Sequence, residues 1–243
     1  MLTHLKLLKY VMQEDYVKAK PNKPCQIQPG NDNGHLRSQF VSELSYRILV
    51  WLAYRLAATF AVGLPLVLLI WALLRKETSM VRLLSIYWKM ASLLGISMLL
   101  LTNQRPIGYL TFFIAPFLMV ASVWFWVDLN EELADLPQWR PLPLTVRIWR
   151  WAISSFGLTF ATLTSTSLPC INAIEGPRCT AWLEVPTRLH QITQKLFEFL
   201  FGGNWNEPLA AFIGYLGLLI YTLSCLQWLL IRLPRNGRIA GDF

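Results

Sequence analysis

Five long apolar runs follow one another along the chain, and each is about as long as a bilayer is thick. Four of them have 19 to 24 residues and no charge, and the fifth has 20 residues and a single lysine. A helix needs about 20 residues to cross the hydrocarbon core. Backbone polar groups in lipid must be satisfied internally, and the alternating pattern of a barrel is absent, so we expect helices. The predicted spans are about 50–74, 83–102, 107–127, 151–169 and 208–231.

The connection between the fourth and fifth runs has an amphipathic pattern. Leu189, Ile192, Leu196 and Leu200 recur near helical spacing, while polar residues fall mostly elsewhere. This pattern predicts a helix over about 181–201 that lies on the membrane surface or against the bundle.

The segment 1–47 differs from everything that follows it. It holds seven basic residues, and its prolines and glycines interrupt any long element. We expect a polar, flexible N-terminal tail, with a short amphipathic helix over 1–17 and a linker over 18–37. Residues 48–243 then form a single helical membrane domain. The predicted fold class is an all-α integral membrane protein, a bundle of about five transmembrane helices plus one amphipathic surface helix.

Composition agrees with a lipid-facing protein. Hydrophobic residues make up 54% of the chain and charged residues 15%, whereas an ordinary soluble domain carries about 25% charged residues. The formal net charge of +8 could indicate nucleic acid, but no basic run with interleaved aromatics is present. We therefore predict the lipid bilayer as a partner and no nucleic acid. The 11 tryptophans and eight tyrosines suit a protein with two membrane interfaces.

The basic residues of the short loops predict an orientation. Five spans place nine of them on one side, which is then cytoplasmic by the positive-inside rule: Arg75, Lys76, Arg82, Arg140, Arg147, Arg150, Arg232, Arg235 and Arg238. The N-terminus would face away from the cytoplasm, although its seven basic residues fit that side poorly.

Two cysteines flank a short segment on the predicted non-cytoplasmic side. Cys170 and Cys179 are a candidate disulfide that would close a loop of about ten residues in an oxidising compartment. Two unpaired thiols are the alternative. A zinc site is disfavoured because the spacing is wrong and no histidine lies near.

Four acidic residues follow directly on the third span. Asp128, Glu131, Glu132 and Asp135 are spaced to share one helical face, on a helix that continues about two turns out of the bilayer. The stripe is a candidate patch for ion pairs or a partner. A solvated face with local ion pairs and, less favourably, an oxygen-ligated cation site are the other interpretations.

Two cations lie inside predicted spans. Arg55 is near enough to a helix end to extend its charge to the interface. Lys89 lies two turns beyond Arg82 and could pair with Asp128, reach the interface or belong to a transport path.

Catalytic chemistry finds little support in the sequence. Nucleotide-binding glycine motifs, H-E-x-x-H and the nucleophile elbow are all absent. No catalytic residue, metal site or cofactor is predicted. His190 is expected on the polar face of its helix rather than as a ligand. The hydroxyl stripe of the fourth span could line a polar path, but such groups more often bond back to their own helix: Ser155, Thr159, Thr162 and Thr166.

Five stretches in a fixed order resemble an uncharacterised family of integral membrane proteins from cyanobacteria, domain of unknown function 3177. They are Ala53-Tyr-Arg-Leu-Ala57, 82–94, Trp124-Phe-Trp-Val-Asp-Leu-Asn130, Trp149-Arg-Trp151 and Cys179-Thr-Ala-Trp-Leu-Glu184. The resemblance covers roughly residues 48–240. It implies the thylakoid or plasma membrane of a cyanobacterium, and it implies no activity and no catalytic residues.

These observations favour a non-enzymatic accessory, assembly or scaffold protein of a larger membrane complex. A small transporter or channel is the alternative, motivated by Lys89 and the hydroxyl stripe. A membrane enzyme is the weakest hypothesis, because the stretch from Asp128 to Asp135 is its one candidate acid or metal cluster.

Overall fold

The computed structural model describes residues 33–135, 137, 139–172 and 176–236. The chain divides into a unit Met1–Gln39 and a unit Phe40–Phe243. The helix predicted over 1–17 lies outside the described residues, and so does the predicted linker 18–37 up to residue 32.

The described residues form helices and no strand. In chain order they are α1 Asn33–Ala57, a π-helical turn Ala58–Gly63, α2 Leu64–Arg75, α3 Thr78–Thr102, α4 Pro106–Trp124, α5 Val127–Asp135, α6 Pro141–Ser165, a 3₁₀ turn Leu168–Ile171, α7 Pro177–Phe201, α8 Glu207–Gln227, a second π-helical turn Trp228–Arg232 and α9 Leu233–Asn236. Helix α1 starts well before the predicted span at residue 50, and α3 starts at Thr78 rather than 83.

Four helical segments in the described part are long and apolar enough to cross a membrane. They are Glu43–Arg75, Thr78–Thr102, Pro106–Trp124 and Glu207–Ile231. Helix α6 is not among them, although we predicted a span at 151–169. Its 25 residues contain Arg147, Arg150 and many hydroxyl side chains, which lower its mean hydropathy.

The third span ends earlier than the sequence pattern suggests. Helix α4 stops at Trp124, and α5 begins as a separate helix at Val127. Side chains take over two carbonyls at this break: Asn130 Nδ2 donates to Trp124 O at 3.1 Å, and Arg150 Nη2 donates to Val123 O at 2.9 Å. The acidic residues therefore lie on a short helix of their own, not on a continuation of the span.

Pro65 opens the backbone of the first span, and aromatic donors repair it. Proline has no N–H for the carbonyl four residues earlier, which is that of Ala61. Tyr87 Oη donates to Ala61 O at 2.8 Å, and Trp149 Nε1 donates to Phe60 O at 3.1 Å. Neighbouring helices thus satisfy the carbonyls that the π-helical turn and the proline leave open.

Helices α3 and α4 form the centre of the bundle. Half of the apolar window of α4 is buried, compared with 17% for α8, which packs mainly on α3. Helix α6 approaches α4 at Gly157, where an added Cβ would lie 2.7 Å from Val120 Cγ2. Two ends therefore define the bundle: an arginine end, where α2, α5 and α8 terminate, and a disulfide end, where the 3₁₀ turn and α7 lie.

Candidate functional site

An arginine of α6 holds helix α5 at the arginine end by donating hydrogen bonds to backbone carbonyls of α5. Arg147 Nη2 donates to Leu133 O at 2.7 Å and to Ala134 O at 3.1 Å. These carbonyls belong to the last turn of α5, where they lack partners within the helix and carry partial negative charge. A cation from α6 therefore fixes the end of α5, while Leu129 and Leu133 are buried beneath it.

Arg150 fixes the beginning of α5. Besides Val123 O, its Nη2 donates to Asn130 Oδ1, and its guanidinium lies 4.2 Å from the centre of the Trp124 ring. Trp124 Nε1 in turn donates to Ser154 Oγ at 2.7 Å.

The four acidic residues do not share one environment. Asp128 and Glu132, one turn apart, are half-buried toward the bundle, whereas Glu131 and Asp135 are exposed. Arg82 Nη2 lies 3.5 Å from Glu132 Oε1, so Arg82 contributes to holding α5 as well. The predicted stripe is therefore divided into a docking pair and an exposed pair, and we call Glu131 and Asp135 the acidic edge.

A cavity of about 790 Å³ lies between α3 and α8, and its polar lining includes Lys89, Tyr221, Ser224 and Gln227. Lys89, Ser224 and Gln227 are exposed, so the cavity is an open cleft. We call it the α3–α8 cleft. Lys89, which the sequence predicted as an intramembrane charge, is one of its lining residues.

Close contacts at two glycines bound the cleft at one end, and two tryptophan rings lie at the other. An added Cβ on Gly214 would lie 3.1 Å from Leu100, and one on Gly217 would lie 3.3 Å from Ile96. Nearer the arginine end, the rings of Trp126 and Trp228 are in contact, with centroids 5.6 Å apart. The two helices therefore touch at Gly214 and Gly217, and the cleft lies between this contact and the arginine end.

Arg55 lies away from this cleft. Its side chain is exposed on α1, and its carbonyl accepts a hydrogen bond from Thr59 Oγ1 at 2.9 Å. The two predicted intramembrane charges are thus not brought together.

The disulfide end is built around Trp182. The structure joins Cys170 and Cys179 in a disulfide, and both cysteines are buried. Trp182 Nε1 donates to Tyr46 Oη at 2.8 Å, and Tyr54 Oη donates to Trp182 O at 2.9 Å. The rings of Phe112 and Phe160 complete the cluster, so the first turns of α7 are packed over the ends of the spans.

One carboxylate ties α7 to α1 beside this cluster. Glu184 Oε1 lies 2.6 Å from Arg47 Nε, and Glu184 Oε2 accepts a hydrogen bond from Trp51 Nε1 at 2.8 Å. The Arg188 guanidinium lies 5.3 Å from the Trp51 ring centre. Farther along, the same helix exposes Leu189, Ile192, Leu196, Phe199, Leu200 and Phe201.

The hydroxyl stripe has local hydrogen-bond partners. In the hydroxyl stripe, Ser155, Thr159, Thr162 and Thr166 all donate to carbonyls of the same stretch of chain. His190 is buried, with 7% exposure, rather than lying on the polar face of its helix. In the described residues no group of three histidine, cysteine or acidic side chains could hold a metal ion.

The fold and this geometry define a helical membrane protein with several apolar helices. The family model described as "Protein of unknown function (DUF3177)" matches residues 47–241. The chain therefore belongs to this family, as its sequence stretches suggest. No curated protein matches the chain, and no solved structure does.

The stretches that carry the family resemblance meet in space. Asn130 and Trp124, from one stretch, contact Arg150 from another. Tyr54 likewise donates to Trp182 of the stretch that begins at Cys179. Reasoning from the sequence missed the contacts of Arg150 with Trp124 and Asn130, although all three residues lie within two of the quoted stretches. The available signal was a charged side chain between two tryptophans.

Proposed function

We propose that this chain is a non-enzymatic accessory or scaffold protein of a larger membrane complex. We propose that α6 crosses the membrane in addition to the four apolar segments, which makes five spans, and that α7 is the surface helix. The family resemblance supports a cyanobacterial thylakoid or plasma membrane as its location. A protein of this kind needs a rigid bundle and an exposed surface that a partner can recognise.

The observation that carries the proposal is the way α5 is held. Arg147 and Arg150 of α6 and Arg82 of α3 contact it, yet the acidic edge on its outer side remains exposed. Trp139, in the following loop, is 86% exposed. Exposed aromatic and charged groups on a rigid element can be recognised without an ordering cost, which favours binding.

Co-purification tests the proposal directly. A tagged full-length chain, extracted in mild detergent, should bring down a larger complex in near-stoichiometric amounts, as mass spectrometry would show. The double variant Glu131→Gln with Asp135→Asn should lose most of that complex. Glu198→Gln, an exposed acid on α7, is the matched control and should retain it. Recovery of the chain alone, or equal loss in the control, would contradict the proposal.

Transport is the second candidate, because Lys89 lines a cavity with Ser224 and Gln227. A transport role requires that Lys89→Met abolish flux in vesicles at unchanged protein abundance. Lys195→Met, an exposed lysine on α7, should leave the flux unaltered. The close contact at Gly214 disfavours a path that continues along the helices.

The orientation is tested by labelling from each side of the membrane. The charges of the short loops support a cytoplasmic location for the arginine end. A cysteine introduced at Pro177, which is exposed beside the disulfide, should react with an impermeant reagent from the non-cytoplasmic side. Labelling from the cytoplasm alone would reverse the orientation.

A further inference from the structure

We infer that the α3–α8 cleft binds a membrane lipid with an anionic head group. Lys89 would hold the head group, and the apolar walls below it would hold the first part of an acyl chain. This inference concerns a ligand rather than a protein partner, so it does not depend on the accessory role.

The lining has the two chemistries that such a lipid requires. Lys89 is the cation, and Ser224, Gln227 and Tyr221 add polar groups to the lining of the same cleft. An ammonium has three N–H donors, so it can hold a head-group oxygen in addition to a partner from the protein. Ile86, Ile96, Ile220 and Ile231 also line the cleft and give it apolar walls.

Volume and access also fit a lipid. About 790 Å³ lies within the range of ligand pockets, roughly 300–1,000 Å³. The cleft lies between two apolar helices. Ile220 and Ile231 on its rim are 57% and 50% exposed. An occupant can therefore enter sideways from the bilayer.

The depth of Lys89 favours a head group near the interface. Lys89 lies seven residues from Arg82 on α3, which is roughly 10 Å at 1.5 Å per residue. Trp126 and Trp228 line the same part of the cleft, and tryptophan rings settle at head-group level. Trp228 and Ile231 also belong to a π-helical turn, a distortion that is frequent at functional sites.

The cleft is blind, which favours a retained ligand over one that passes through. The helices converge at Gly217 and Gly214, where added Cβ atoms would meet Ile96 and Leu100 at 3.3 and 3.1 Å. A lipid can stay with its head group at the wide end, whereas a transported solute would meet this closed contact.

Native mass spectrometry of the full chain, with added lipids, tests the inference. The probes are phosphatidylglycerol and phosphatidylcholine with identical acyl chains. The wild-type chain should retain phosphatidylglycerol at least about fivefold better, since one lysine near an anionic surface contributes on the order of 1 kcal/mol, or about fivefold. Lys89→Gln should abolish this preference, and Lys89→Arg should restore it.

Two further variants separate the cleft from the rest of the surface. Ser224→Trp fills the cleft without touching the charge and should reduce retention of phosphatidylglycerol. Arg55→Gln removes an exposed cation on another helix and should leave the preference unchanged. Equal retention of the two lipids by the wild type, or an unaltered preference in Lys89→Gln, would overturn the inference. A change from dimer to monomer in Ser224→Trp, with lipid retention intact, would also overturn it by assigning the cleft to a second copy.

Discussion

The two ends of the bundle are held together by different chemistry. At the disulfide end, a covalent bond, a tryptophan-centred cluster and a partly exposed ion pair hold α7 over the spans. At the arginine end, cations from α6 hold the end of α4 and helix α5 mainly through backbone carbonyls. Carbonyl acceptors leave carboxylates available, so the arginine end keeps an exposed acidic edge as well as the open side of the cleft.

This difference indicates which end meets other molecules. An end whose polar groups contact one another has little to offer a ligand or a partner. Glu184 at the disulfide end is occupied by Arg47 and Trp51, whereas Glu131 and Asp135 at the arginine end are exposed. We therefore place recognition at the arginine end, and the following variants compare how firmly each end is held.

Removal of Arg150 should have the largest effect. Arg150→Ala should destabilise the bundle by about 3–4 kcal/mol, because two charge-assisted hydrogen bonds and the contact with the Trp124 ring are lost together. Arg150→Lys should recover only part of the loss, since lysine cannot donate in the same planar geometry. The apparent melting temperature in detergent measures both. A melting temperature equal to the wild type would contradict the anchoring role.

Loss of the disulfide should rank second. Cys170→Ser, compared with Cys225→Ser as a control at a free cysteine, should cost about 2–3 kcal/mol through the freedom of the unfolded chain. A reducing agent should lower the melting temperature of the wild type to that of Cys170→Ser and leave the variant unchanged. If the reductant lowers both equally, the bond is not the cause.

Glu184→Gln should have a smaller effect at the disulfide end. It removes the charge that faces Arg47 but keeps an acceptor for Trp51 Nε1, so we expect a loss of about 1 kcal/mol. Protease cleavage within α7 should become faster while the arginine end is unaffected. Faster cleavage near α5 instead would show that the two ends are not independent.

Arg82→Gln should have the smallest effect. The distance from Arg82 Nη2 to Glu132 Oε1 is 3.5 Å and both side chains are partly exposed, and such pairs contribute about 0–1 kcal/mol. The melting temperature should change little and should depend weakly on salt. A loss comparable to that of Arg150→Ala would mean that α5 is held mainly by Arg82.

The sequence predicts the helices better than their ends. Runs of about 20 apolar residues set the positions of α3, α4 and α8, because span length is fixed by bilayer thickness. The break after Trp124 is not predicted, since it depends on Asn130 and Arg150 capturing carbonyls from a distance. The burial of His190 likewise depends on tertiary packing, which the sequence pattern does not show.

Candidate residues follow the same rule. The sequence brings attention to Lys89, because a cation in an apolar run is costly and therefore informative. It cannot show the cleft beside Lys89. This cleft lies between the contact of α8 with α3 at Gly214 and the ring of Trp228. The acidic residues are found by composition, but their division into a docking pair and an exposed pair depends on where α5 turns.

Site-specific photo-crosslinking in native membranes is the most direct test of recognition at the arginine end. A photoreactive amino acid would replace Glu131 at the arginine end or Arg178 at the disulfide end, both of which are exposed. We expect a defined protein adduct from position 131 and none of comparable yield from position 178. An adduct from position 178 alone would contradict this expectation and would indicate that recognition occurs at the disulfide end.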